Sequence, residues 1–117
     1  MANQELHVIF GTGPVGQAVA RELVKRDKAV KMINRSGQKP VGVPDGVTVV
    51  AGDVFDAALA KELAKGATHV YQCTNPAYHE WVEKFPTLQA NTLEAAVAAG
   101  AKYIVMDNPY MYGDTNG

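Results

Sequence analysis

Leu6-His7-Val8-Ile9-Phe10-Gly11-Thr12-Gly13-Pro14-Val15-Gly16 joins a β-favouring apolar run to three glycines spaced G-x-G-x-x-G. The run predicts a short buried strand over 6–10. Beyond the turn, Val15, Ala18, Val19 and Leu23 recur at helical spacing, which predicts a helix from Pro14 to about Arg26 with one apolar stripe. Pro14 suits the first turn of that helix, where a missing N–H costs nothing. In this strand–turn–helix context each glycine has a task. Gly11 permits a tight turn, Gly13 leaves the backbone bare for a diphosphate, and Gly16 lets helix and strand pack closely. The free N–H groups of the first helical turn then face the diphosphate, with the helix dipole behind them. Gly11, Thr12, Gly13, Pro14, Val15 and Gly16 are therefore expected to hold a dinucleotide. The alternative is a plain βα turn without a ligand.

Working outward, Ala29 to Asn34 reads as a second strand and the glycine- and proline-rich 36–46 segment as a loop. Val47 to Ala51 is a third strand. Asp56 caps a helix expected over Ala57 to Lys65, with Leu59 and Leu63 inward and Gly66 ending it. Thr68 to Cys73 is a fourth strand. A further helix, with Leu88, Leu93, Ala96 and Val97 expected inward, ends at Gly100. Tyr103 to Met106 is a fifth strand, followed by an irregular tail. Apolar strands alternating with helices imply an α/β fold, a parallel sheet covered on both faces. Right-handed crossovers make it a doubly wound, Rossmann-like sheet in the order 3-2-1-4-5. Its ligand crevice lies at the carboxyl ends of the strands, between strands 1 and 4.

The other site candidates all fall at strand ends. After the second strand stand Asn34, Arg35 and Ser36, where an acidic residue would favour NAD by accepting from its ribose hydroxyls. Arg35 instead offers a planar fork suited to the extra phosphate of NADP, so NADP is preferred to NAD. The alternative for Arg35 is stacking on the adenine of either cofactor. Asp53 follows the third strand and either accepts from the adenine amino group, with Val54 beside the ring, or caps a turn. Cys73, Thr74 and Asn75 end the fourth strand and are expected to border the nicotinamide ribose. No Lys, Arg or His adjoins Cys73 in sequence, so it is not expected to be a nucleophile.

Composition limits the partners. A chain of 117 residues is expected to form one domain, and 47% hydrophobic residues suffice for a core. A net charge of −1 without a dense basic block argues against nucleic acid. The Lys25-Arg26-Asp27-Lys28 cluster reads as a solvated helix end. No apolar run is long enough for a signal or a membrane span, and the single cysteine fits a reducing compartment, so a cytoplasmic location is expected. His7, His69 and His79 are far apart in sequence, and no carboxylate or cysteine lies at helical or hairpin metal spacing from two of them, so no metal site is expected. Tyr78 and Trp81 line a pocket or pack on a loop; Tyr110 and Tyr112 face the nicotinamide side or close the sheet edge.

These features, taken together, resemble the amino-terminal part of extended or atypical short-chain dehydrogenases/reductases, the NAD-dependent epimerase/dehydratase group. The resemblance rests on the Gly11–Gly16 turn, Gly52-Asp53-Val54, Asn91-Thr92-Leu93-Glu94-Ala95-Ala96 and Ala99-Gly100-Ala101-Lys102. It continues in Met111-Tyr112-Gly113, similar to the V-Y-G after the family's fifth strand. It implies that Asn91 helps order the central helix and active site. The family's serines before V-Y-G are replaced here by Asp107 and Asn108, and Asn108 would take over a substrate hydrogen bond. The family's Tyr-x-x-x-Lys pair is missing, since no tyrosine has a lysine four residues on. The chain therefore reads as a cofactor-binding fragment, inactive by itself, of a protein acting on a small molecule. A non-catalytic redox-sensing module is the alternative. A homodimer paired through the sheet edge or helices is a further expectation.

Overall fold

The computed structural model describes residues 5–74 and 81–105. Strand β1 (Leu6–Phe10) is followed by α1 (Pro14–Lys25), β2 (Ala29–Asn34) and β3 (Thr48–Ala51). Then come α2 (Ala57–Leu63), β4 (His69–Gln72), α3 (Trp81–Ala99) and β5 (Lys102–Val105). Among the described residues all four strand pairings are parallel and the order is β3-β2-β1-β4-β5, as the alternation of elements implied. Alternate residues of each strand point to opposite faces. Val8, Phe10, Ile33 and Val70 meet α2 and α3 on one face, while Ile9, Val30 and Met32 meet α1 on the other.

Local chemistry sets the helix ends. Gly13 is the N-cap of α1, with Pro14 just inside. At the other end Asp27 takes the left-handed conformation (φ 60°). Its N–H donates to the Val24 carbonyl and that of Lys28 to the Leu23 carbonyl, the paired bonds of a Schellman ending. Asp56 caps α2 by accepting from the Leu59 N–H at 3.1 Å. α2 ends at Leu63 rather than Lys65, because the chain turns at Ala64 toward the positive-φ Gly66. Its inward face is made by Ala60 and Ala64, with Leu59 and Leu63 only partly buried.

The inner stripe of α3 differs from expectation. Leu88 and Ala96 are buried, but Leu93 and Val97 are exposed. Val97 falls about two and a half turns after Leu88, on the opposite face. Their inward places go to Thr92 and Ala95, both fully buried. The Thr92 hydroxyl contacts the Leu88 carbonyl at 3.0 Å and the Tyr103 hydroxyl at 2.7 Å, so its polarity is satisfied inside. Ala60 of α2 and its C-cap Ala64 share a core cluster with Ala95 and Ala96 of α3, and these short side chains let the helices lie close. Among the described residues, no helix is long and apolar enough to cross a membrane.

Candidate functional site

Strands β1, β2, β3 and β4 end at one rim, and a cavity of about 500 Å³ opens there. That is within the size range of small-ligand sites, about 300–1,000 Å³. Its floor is the turn from β1 into α1. Gly11 has φ 113° and its N–H donates to the Ile33 carbonyl at 2.9 Å. A Cβ on Gly11 would lie 2.9 Å from backbone atoms of Cys73 and Thr74, so the turn fits only without a side chain. A Cβ on Gly16 would lie 2.4 Å from the Gly11 carbonyl oxygen. Gly16 is thus a packing residue behind the cavity wall. Gly13 is different: among the described residues a Cβ there would meet nothing within 4 Å, so it faces open space.

That open space faces the amino end of α1. The first intrahelical bond of α1 is made by the Gln17 N–H to the Gly13 carbonyl, so the amides of Val15 and Gly16 have no helical acceptor. Among the described residues no side chain caps this terminus, and its first turn holds no acidic residue. The positive end of the helix dipole is therefore left for a ligand. Thr12, Gly13, Pro14 and Val15 all line the cavity.

The β2 end supplies Asn34 and Arg35 to the wall, but not Ser36. The Asn34 amide nitrogen donates to Thr12 Oγ1 at 3.1 Å and to the Gln38 carbonyl at 2.9 Å, and its oxygen accepts from the Gly37 N–H. Asn34 thereby ties the glycine turn to the loop after β2. Ser36 Oγ accepts from the Gln38 N–H at 3.1 Å and shapes the same loop. Arg35 is exposed at the cavity edge. The carboxylate of Asp53 accepts from the Phe55 N–H at 2.9 Å. It is thus a turn cap, and it lines the cavity together with Val54.

Cys73 and Thr74 close the far wall. Cys73 is buried, and that burial pushes its thiol up to about 12. It stays protonated at neutral pH, which agrees with the absence of basic neighbours in its sequence. In native protein at pH 8 its alkylation by iodoacetamide, followed by mass spectrometry, should be about a thousandfold slower than that of an ordinary cysteine, whose pKa is about 8.5. Denaturant should restore the usual rate; rapid labelling of the folded chain would contradict this assignment.

Phe55, Lys84 and Leu88 line the cavity too, although no motif marks them as site residues. Phe55 follows the Gly-Asp-Val turn, while Lys84 and Leu88 come from α3. Lys84 Nζ sits 5.8 Å from the Phe55 ring centroid, a cation over an aromatic face. A fourth contribution is indirect. Asn91 donates to the Val54 carbonyl at 2.9 Å, which ties α3 to the loop forming this wall. Asn75, Tyr78, Asn108, Tyr110 and the Met111-Tyr112-Gly113 segment lie outside the described residues, as does the side chain of Trp81.

The sheet order, the glycine turn at its carboxyl rim and the uncapped helix end in one cavity define a Rossmann-type dinucleotide-binding domain. Comparison with known proteins agrees. The NAD(P)H-binding family matches residues 11–115, and this chain belongs to that family. A Rossmann-fold NAD(P)-binding family protein from Shigella flexneri superposes with a TM-score of 0.69 at 20% identity, over 87% of this chain and 50% of its own. The Bordetella bronchiseptica enzyme WbmG, solved with NAD, gives 0.73 at 20% identity, over 88% and 37%. UDP-glucose 4-epimerase from Thermotoga maritima, solved with UDP-glucose, gives 0.71 at 14% identity, over 86% and 37%. At these identities the likeness is one of fold. The chain spans half or less of the length of each of these structures. No curated protein sequence gives a significant match.

Proposed function

We propose that this chain is the cofactor-binding part of an NADP-dependent oxidoreductase, epimerase or dehydratase of the short-chain dehydrogenase type. The observation that carries the reading is the charge of the cavity wall. Arg35 and Lys84 both line it and outnumber the Asp53 carboxylate, the bare end of α1 opens into it, and the β2 end has Asn34 where an acidic residue would select NAD. The diphosphate lies over Gly13 and the first turn of α1, Arg35 takes the 2′-phosphate, and the adenine lies beside Asp53 and Val54. Cys73 and Thr74 border the nicotinamide ribose. The solved neighbour holding NAD supports a dinucleotide in this fold. The substrate is a small molecule bound next to the nicotinamide.

Titration with NADPH and NADH tests the preference. A hydrogen bond to a charged group contributes about 1.5–3 kcal/mol, roughly 10- to 150-fold in affinity. Arg35→Ala should weaken NADPH binding by about tenfold or more and change NADH binding little. Equal losses for both cofactors would count against the phosphate role and favour adenine stacking. A second reading is a non-catalytic redox sensor that binds the dinucleotide at the same glycine turn. NADPH binding with no hydride transfer in the intact native protein would support it.

A further inference from the structure

Toward the amino ends of the strands, away from the cofactor cavity, the parallel register sets His7 of β1 opposite His69 of β4. Their rings stack with centroids 4.3 Å apart and planes 11° from parallel. Glu5 lies two residues before His7, and its Oε1 is 2.9 Å from His7 Nε2. One ligand atom from each of these three residues lies within 4.8 Å of the other two. We propose that Glu5, His7 and His69 form a binding site for a divalent transition-metal ion of the zinc class.

The donor set is the first support. Two imidazoles and one carboxylate suit zinc, with a water completing four-coordination. Burial is graded in a way that fits an open site. His7 is 3% exposed and anchored in the sheet, whereas the Glu5 side chain is 42% exposed and leaves solvent access for that water.

The outer hydrogen bonds are the second support. Thr68 Oγ1 makes three contacts: from the Leu6 N–H at 2.9 Å, to the Leu6 carbonyl at 3.1 Å, and with His69 Nδ1 at 2.9 Å. A hydroxyl has one hydrogen. All three contacts are hydrogen bonds only if that hydrogen goes to the Leu6 carbonyl and His69 Nδ1 donates to Thr68. This places the lone pair of His69 on Nε2, ready for a metal. His7 Nδ1 lies 2.8 Å from the Tyr71 hydroxyl. Without metal, His7 Nε2–H donates to Glu5 and Nδ1 accepts from Tyr71. With metal, the hydrogen sits on Nδ1, Tyr71 becomes the acceptor, and Nε2 turns its lone pair to the ion. Partners of this kind orient imidazole ligands and tune their affinity.

Two features limit the affinity. Ligand atoms around tetrahedral zinc are about 3.3 Å apart, given bonds of about 2.0–2.1 Å. The cluster must therefore tighten, with His69 tilting out of the stack and Glu5 swinging inward. Lys28 Nζ also holds Glu5 Oε1 at 3.1 Å and competes with the ion for it. The site lies about 13 Å along β4 from Cys73, four residues at about 3.3 Å each, so it is separate from the cofactor wall.

Co²⁺ titration of the 117-residue chain, followed by the visible absorption of the metal and by Zn²⁺ competition, tests the proposal. The expected result is one ion per chain with micromolar affinity. His69→Gln keeps a polar side chain at a half-buried position and should weaken binding by about tenfold or more. Lys28→Met, a change at the surface, should tighten binding several-fold. His79→Gln should change nothing. No absorption band at millimolar Co²⁺, unchanged affinity in His69→Gln, or a loss in Lys28→Met would each overturn the site. If His69→Gln fails to fold, the Lys28→Met result decides.

Discussion

Gly13→Asp should abolish measurable NADPH and NADH binding while leaving the thermal midpoint within a few degrees of the parent chain. Gly13 is extended (φ −77°, ψ −169°), a conformation any residue adopts, and a Cβ there meets no atom of the described residues within 4 Å. The fold therefore has no objection to a side chain. Aspartate is also among the best N-cap residues, so the helix itself should be slightly steadied. Binding responds oppositely. The new carboxylate would accept from the first-turn amides of α1, occupying the donors proposed for the diphosphate, and would present a negative charge to it. Two like charges at about 4 Å repel by about 4 kcal/mol at the effective dielectric of a protein surface, which is close to a thousandfold in affinity. Calorimetric titration checks the affinity and a melting curve checks the fold. Gly13→Ala, neutral and smaller, should lose far less. An aspartate variant that binds within threefold of the parent would remove the diphosphate from this turn.

The parts of this structure that could be read from the chain are the local ones. A β-favouring run, three glycines at fixed spacing and an apolar helical stripe each leave their mark within a dozen residues. The sheet order then follows from the handedness of the crossovers. What could not be read depends on which distant residues meet. Lys84 and Leu88 reach the cavity because α3 crosses the sheet beside it, and no spacing rule links them to Gly11. Asn91 clamps Val54 across 37 residues, a contact that only the packing of α3 creates. His7 and His69 are 62 residues apart in sequence and neighbours only through the β1–β4 register. Leu93 and Val97 mislead for another reason. They are the larger apolar residues of their helix segment, but close approach to α2 and the sheet selects the smaller Thr92, Ala95 and Ala96 for the interior. Size, rather than hydrophobicity alone, decides the inward face there.

Gly16→Ala tests the opposite requirement of the same turn, and here the fold should fail first. The added Cβ would sit 2.4 Å from the Gly11 carbonyl oxygen and 3.2 Å from its carbon, both backbone atoms with little freedom. Gly11 cannot retreat. Its N–H is bonded to the Ile33 carbonyl, and its own Cβ direction abuts the Cys73–Thr74 backbone. The strain must be relieved by lifting α1 from the sheet, which loosens the contacts of buried Ala20 and Leu23 with Ile9 and Met32. Overpacking against a rigid neighbour costs about 3 kcal/mol. For a domain of this size that lowers the thermal midpoint by about 10 °C or more. Chemical denaturation should give the same loss of stability, and Gly16→Val should do worse. Cofactor affinity should fall with it, because the helix end that faces the cavity moves. A midpoint within about 2 °C of the parent would mean that α1 has room to spare, and the close strand–helix contact would no longer explain why this position is glycine.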